Sequence, residues 1–192
     1  VKRVRGILLV LVGALLLSGC TLISTSNAPS VVPKGKVGFS LNKPTIPGTD
    51  NARVRFDTLP IYFIDATGHL TPSSRLVASP LTLSSVIDEL LVGPTKIERF
   101  AGYSTDVPKN FVLVSATLKG KLGIVDVATP LTVLSHENQI LALGQLVLTA
   151  YDAGVTEGIE ITVAGTPALS LLPNGTRQLV ATRADFVSLL NG

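Results

Sequence analysis

The stretch Ser79-Pro80-Leu81-Thr82-Leu83-Ser84-Ser85-Val86-Ile87-Asp88-Glu89-Leu90-Leu91-Val92-Gly93-Pro94 decides the fold class. Leu83, Val86, Ile87, Leu90 and Leu91 recur at the spacing of one helical face. Ser79-Pro80 offers a cap and a first-turn proline. Gly93-Pro94 supplies a glycine stop and a residue that cannot extend the helix. An amphipathic helix of this kind needs an apolar surface to cover, and the flanking segments read as sheet.

Upstream, Leu59-Pro60-Ile61-Tyr62-Phe63-Ile64-Asp65 reads as a buried strand. Thr67-Gly68 turns the chain, and Leu70 to Ala78 returns as a second strand that Pro72 confines to an edge. Downstream, residues 95–109 read as an extended loop. A strand begins at Phe111-Val112-Leu113-Val114, Lys119-Gly120-Lys121 turns it, and Leu122 to Val127 completes an antiparallel hairpin. Ser135 caps a second helix that runs to about Asp152, apolar around most of its circumference, with Gln145, Thr149 and Asp152 in one narrow polar stripe. Such a helix is covered on two sides, one by sheet and the other by the C-terminal segment or by a partner. Ile159 to Val163 alternates as a half-buried strand, and Pro173-Asn174-Gly175 marks a hairpin turn. Arg183 to Leu190 forms a short terminal helix. The order predicts an α+β domain over residues 57–192: a small, mostly antiparallel sheet with two main helices packed on one face, then a C-terminal hairpin and short helix.

The formal charge of +3 is set by Lys2, Arg3 and Arg5. Without residues 1–19, 13 basic residues face 13 acidic ones. The balance therefore gives no argument for nucleic-acid binding. The three cations precede an aliphatic run from Gly6 to Leu17, about a dozen residues, where a membrane span needs ~20. This is the order of a secretory signal. Leu17-Ser18-Gly19-Cys20 resembles the lipobox of bacterial lipoproteins. The resemblance implies that a signal peptidase recognises Leu17, Ser18 and Gly19, cuts before Cys20, and leaves Cys20 carrying a diacylglyceryl group and an acylated (palmitate-type) amino terminus. More than one acyl chain gives stable anchoring. Cys20 is the only cysteine, so no disulfide forms within the chain. Residues 20–56, rich in Ser, Pro and Gly, read as the lipidated start of a tether. The expected location is the extracytoplasmic face of the cell membrane.

Chemistry-bearing residues are sparse. His69 falls in a turn and His136 at a helix start, with no second histidine or carboxylate at metal-ligand spacing. Gly102-Tyr103-Ser104-Thr105-Asp106 starts like a nucleophile elbow but lacks its closing glycine and its strand-to-helix setting. No catalytic residue, metal or cofactor is expected, and the chain is not expected to be an enzyme.

Several segments taken in order resemble the GerMN domain of sporulation and germination proteins, found also in actinobacterial envelope lipoproteins. They are Ile61 to Asp65, Leu90 to Pro94, Ser104 to Pro108, Val125-Asp126-Val127, Gln139 to Val147, Val155 to Gly165 and Pro173-Asn174-Gly175. Two positions depart from the pattern: Ala164 stands where relatives often carry aspartate, and Gly144 where alanine is usual. The resemblance covers roughly residues 58–190. It implies a compact α+β module similar to ring-building domains, with no enzyme activity, acting by contact with other envelope proteins. It does not imply sporulation, since the domain occurs in organisms without spores.

The expected function is thus a lipid-anchored interaction or scaffolding module, held to the membrane by the lipid on Cys20, with an envelope protein as partner. The alternative is a lipoprotein that binds a small molecule, a lipid or a cell-wall fragment, which needs a deep apolar pocket with convergent polar groups. A dispersed hydrolase site needs a cleft joining His69 or His136 to a serine and a carboxylate.

Overall fold

The structure, a computed structural model, describes residues 55–190. Leu17, Ser18, Gly19 and Cys20, and the tether expected over residues 20–56 up to Val54, lie outside the described residues.

Strands β1 (Phe56–Ile64) and β2 (Leu70–Ala78) form an antiparallel hairpin, Phe56 opposite Ala78 and Ile64 opposite Leu70. The Asp65 carboxylate ties its turn together, accepting from the Thr67 and His69 N–H groups at 2.8 and 3.1 Å and from the Thr67 and Thr71 hydroxyls at 2.6 and 2.8 Å. Alternation puts Leu59, Ile61 and Phe63 on one face with Arg75 and Val77. Tyr62 is opposite Pro72. The Tyr62 N–H and C=O turn away from β2 toward side chains of another element. Pro72 therefore sits where no ladder donor is needed, and β2 is an edge strand as expected.

Helix α1 (Leu83–Val92) buries Leu83, Val86, Ile87 and Leu90, the stripe read from the sequence. Each such burial contributes roughly 1.5–3 kcal/mol. Its start differs from expectation. Thr82 is the cap: its hydroxyl accepts the Ser85 N–H while the Ser85 hydroxyl accepts the Thr82 N–H. Ser79-Pro80 lies before the helix as a cis peptide, and the Ser79 hydroxyl is spent on Asp57. Gly93 ends the helix at φ 76°, a conformation that favours glycine.

The expected loop over residues 95–109 contains a second helix, α2 (Lys96–Phe100). Thr95 and Glu98 form its capping box, and Glu98 is further held by β2. One turn of helix is marginal alone; here the cap and the ion pair hold it.

The sheet is divided into three rather than one. The largest has the order β3 (Leu113–Lys119), β4 (Leu122–Val127), β5 (Gly158–Val163), β6 (Thr166–Pro167), with β9 (Val180–Ala181) also on β5. β3 and β4 are the expected hairpin, with a register shift between Leu113 and Ser115. β4 and β5 run parallel, Leu122 beside Gly158. A parallel pair needs a long crossover, and helix α3 (His136–Tyr151) lies within it, capped by Ser135 as expected. β7 (Ser170–Leu171) and β8 (Arg177–Gln178) flank the Asn174-Gly175 turn. A 3-10 helix, Arg183–Leu189, ends the described chain.

α3 is the centre of the core, buried from Ala142 to Ala150. The C-terminal segment covers it: Phe186 is fully buried, and a Cβ on Gly144 would sit 2.9 Å from the Phe186 ring and 2.6 Å from a Leu70 methyl. That contact leaves no room for a Cβ at this position.

Candidate functional site

The segments that resemble the family meet one another inside the fold. Gln145 on α3 is fully buried. Its Nε2 donates to the Tyr62 carbonyl at 3.0 Å. Its Oε1 accepts the Asp106 N–H at 3.0 Å and the Thr105 hydroxyl at 3.2 Å. One turn on, the Thr149 hydroxyl accepts the Tyr62 N–H at 3.0 Å. The outer edge of β1 is thereby closed. Ile64 exchanges both backbone bonds with Ser104, α3 satisfies Tyr62, and Pro60 has no N–H to satisfy. The polar residues Gln145 and Thr149 of α3 thus join three chain segments through side-chain hydrogen bonds.

A second junction lies at Asp126. Its carboxylate accepts the Thr162 hydroxyl at 2.6 Å and the Gly165 N–H at 2.8 Å. These bonds hold its pKa below the ordinary carboxylate value. They brace the tight turn from β5 to β6, where Ala164 has φ 49° and Gly165 φ 78°.

The third junction was not visible as a motif. Arg75 on β2 reaches Glu89 of α1 at 2.7 Å and pairs with Glu98 of α2. It also donates to the Gly93 carbonyl at 3.1 Å and lies 5.3 Å from the Phe63 ring centre. Its side chain is 11% exposed. Against the cost of burial, bonds from Arg75, Ser73 and Thr95 hold the Glu98 carboxyl down to about 2. The capping pair Thr95 and Glu98 was the one sequence signal available. The bracketed corner carries three strongly exposed apolar side chains: Val92 at 72%, Ile97 at 82% and Phe100 at 93%. Lys96 and Arg99 stand beside Phe100 around an open hollow of about 760 Å³.

His69 and His136 are not brought together with a catalytic partner. The Thr67 hydroxyl donates its single proton to Asp65, so a bond from His69 Nδ1 to Thr67, at 2.8 Å, makes the imidazole the donor. That is the wrong sense for a base acting on a hydroxyl. His136 is exposed at the start of α3, and Ser104 is engaged through its backbone. Among the described residues, no group of three or more His, Cys, Asp or Glu side chains is placed to hold a metal. Nor is any helix among them long and apolar enough to cross a membrane. A hollow of only about 30 Å³ beside Gln139 and Leu143 is mostly apolar, and the Gln139 amide there already donates to the Leu134 carbonyl at 2.8 Å. Another of about 480 Å³, lined by Ile140, Leu141, Pro173 and Leu189, is wide open.

The profile of the Germane family, described as sporulation and spore germination, matches residues 60–169. The first GerMN domain of the sporulation protein GerM from Bacillus subtilis has a similar fold. Its TM-score is 0.53 at 13% identity, over 67% of this chain and 98% of that one. The tandem GerMN domains of the same protein give a TM-score of 0.47 at 20% identity over 62% of this chain, which spans only 42% of the tandem structure. A candidate lipoprotein of Clostridium perfringens gives 0.41 at 17% identity, over 71% of this chain and 93% of that one. No curated protein sequence matches.

Proposed function

This chain belongs to the Germane family, and on that premise we propose that it is a lipid-anchored extracytoplasmic module that works by contact with another envelope protein. It is exported, cut before Cys20 and acylated there, and it performs no catalysis. The observation that carries this reading is the direction of its side chains. Four polar residues of the family-matching segments, Asp65, Thr105, Asp126 and Gln145, turn to hold the fold. Large apolar side chains stand outside instead. On and just before the edge strand β3, Val112, Val114 and Leu118 are 54%, 57% and 44% exposed. A strand edge with apolar side chains is a surface that recruits another chain.

The small-molecule reading finds less support, because no hollow among the described residues combines depth with convergent free polar groups. The Leu17-Ser18-Gly19-Cys20 motif supports the anchor.

The test is photo-cross-linking in living cells, with the probe at Val114 or Leu118 of the full chain. A single reproducible envelope partner, lost when the probe is moved to Asn174, exposed in the β7–β8 turn, is the expected result. No adduct from either β3 position, with no self-association, would reject the reading.

A further inference from the structure

We infer that the corner formed by the end of α1 and by α2 inserts into the surface of an anionic phospholipid membrane, so that the domain lies on the bilayer instead of standing clear of it. The inference rests on the lipid anchor proposed above. Three observations carry it.

The first is exposure. Phe100, Ile97 and Val92 have the highest exposures of the large apolar side chains among the described residues, and they fall within nine consecutive positions. The second is rigidity. Arg75 bridges Glu89 and Glu98, Thr95 and Glu98 close the cap, and Arg99 bonds the Pro94 carbonyl. A helix of five residues would not hold its apolar side chains outward without that bracing.

The third is shape and charge. The corner carries three large apolar side chains within nine positions, too small a patch for the ~800 Å² that each partner contributes to a stable protein interface. An apolar tip flanked by Lys96 and Arg99 suits the boundary between headgroups and acyl chains, where cations meet phosphate and Phe and Ile meet hydrocarbon. Of the three carboxylates on this corner's helices, Glu89 and Glu98 are engaged by Arg75, and Asp88, one turn before Val92, accepts from the Ser84 hydroxyl at 3.5 Å. Within β1 and β2, Ile61 is opposite Ser73, whose hydroxyl bonds Glu98 of the corner. The corner is thus five residues along β1 from Phe56, where the strand begins.

The chain contains no tryptophan, so a single introduced indole reports without background. The acylated full chain carrying Phe100→Trp is reconstituted into vesicles of phosphatidylcholine and phosphatidylglycerol with brominated acyl chains. A Leu76→Trp chain is the control, since Leu76 is 66% exposed and alternates to the opposite face of the hairpin from Arg75. The expected result is quenching and a blue shift for Phe100→Trp only, lost with Lys96→Glu and in vesicles without phosphatidylglycerol. Flotation reads the anchor separately. A chain that floats with Phe100→Trp unquenched overturns the insertion and leaves the anchor standing. A chain that does not float overturns both. Equal quenching of both positions means adsorption without orientation and also overturns it. So does an unquenched Phe100→Trp chain whose Phe100→Glu counterpart loses a cross-linked protein, which would assign the corner to a protein partner.

Discussion

The Gln145 side chain and the Tyr62 backbone, 83 positions apart in sequence, meet at 3.0 Å in the buried centre of the domain. Through this contact and that of Thr149, α3 closes the outer edge of β1 at Tyr62. The same glutamine accepts from Thr105 and Asp106. Three segments of the family pattern therefore depend on one amide.

Gln145→Leu removes that amide at nearly constant volume. It leaves the Tyr62 carbonyl and the Asp106 N–H without partners, each costing about 1–3 kcal/mol when buried. The expected loss is about 2–4 kcal/mol in chemical denaturation. Thr149→Val leaves only the Tyr62 N–H and should lose about 1–2 kcal/mol. A Gln145→Leu chain as stable as wild type would mean that water replaces the amide.

Ala164→Asn should stabilise the domain. Ala164 and Gly165 both have positive φ in the turn between β5 and β6. Two-residue hairpin turns of that kind prefer Asn-Gly, and a non-glycine residue held there costs about 1 kcal/mol or more. A gain of about 0.5–1 kcal/mol is expected from the same denaturation measurement.

Gly144→Ala should destabilise it, against helix propensity. Alanine gains about 1 kcal/mol in a helix interior, but overpacking costs about 1–3 kcal/mol, and the new Cβ would lie 2.6 Å from Leu70 and 2.9 Å from Phe186. In a Phe186→Leu background the same step should cost less, because one of the two obstructing groups is smaller. Equal costs in both backgrounds would remove Phe186 as the cause.

Stability should fall on acidification. Glu98 is held at about 2, below its ordinary value of 4.5. Its contribution is complete above the unfolded value and is lost as pH falls toward the folded one. Asp65 and Asp126 are also depressed, by hydrogen bonds, and act in the same direction. Asp106 is raised by burial and then by the charge of Glu137, and Asp152 is raised by burial; both act in the opposite sense. Denaturation midpoints measured from neutral pH down to acid should drop below about pH 4.5. Glu98→Gln should be less stable at neutral pH and show a shallower drop. An unchanged slope would mean that Glu98 is not the group responsible.

Much of this fold was legible because periodicity reports burial. The stripe of α1, the Ser135 cap, the hairpin glycines and the order of elements all stood in the sequence. The misses share a cause. Ser79-Pro80 and Thr82 both resemble a helix start, and only the backbone path decides which hydroxyl faces the helix amides. Residues 96–100 are too few to display a period, so their helix was hidden behind a capping pair. The parallel contact of β4 and β5 and the Arg75 bridge join distant segments, which spacing along the chain does not report. At the candidate site, exposure of Phe100 and Val114 is likewise a three-dimensional property, while the Cys20 motif is read from sequence alone.

The most direct test of the central claim is the intact mass of the mature protein from membranes, beside a Cys20→Ala chain followed through detergent-phase partition. The account predicts a chain that begins at Cys20 and carries diacylglyceryl and acyl groups, with the Cys20→Ala form leaving the detergent phase. A mature chain that retains residues 1–19 without lipid, and a Cys20→Ala form that stays in the membrane like wild type, would contradict it.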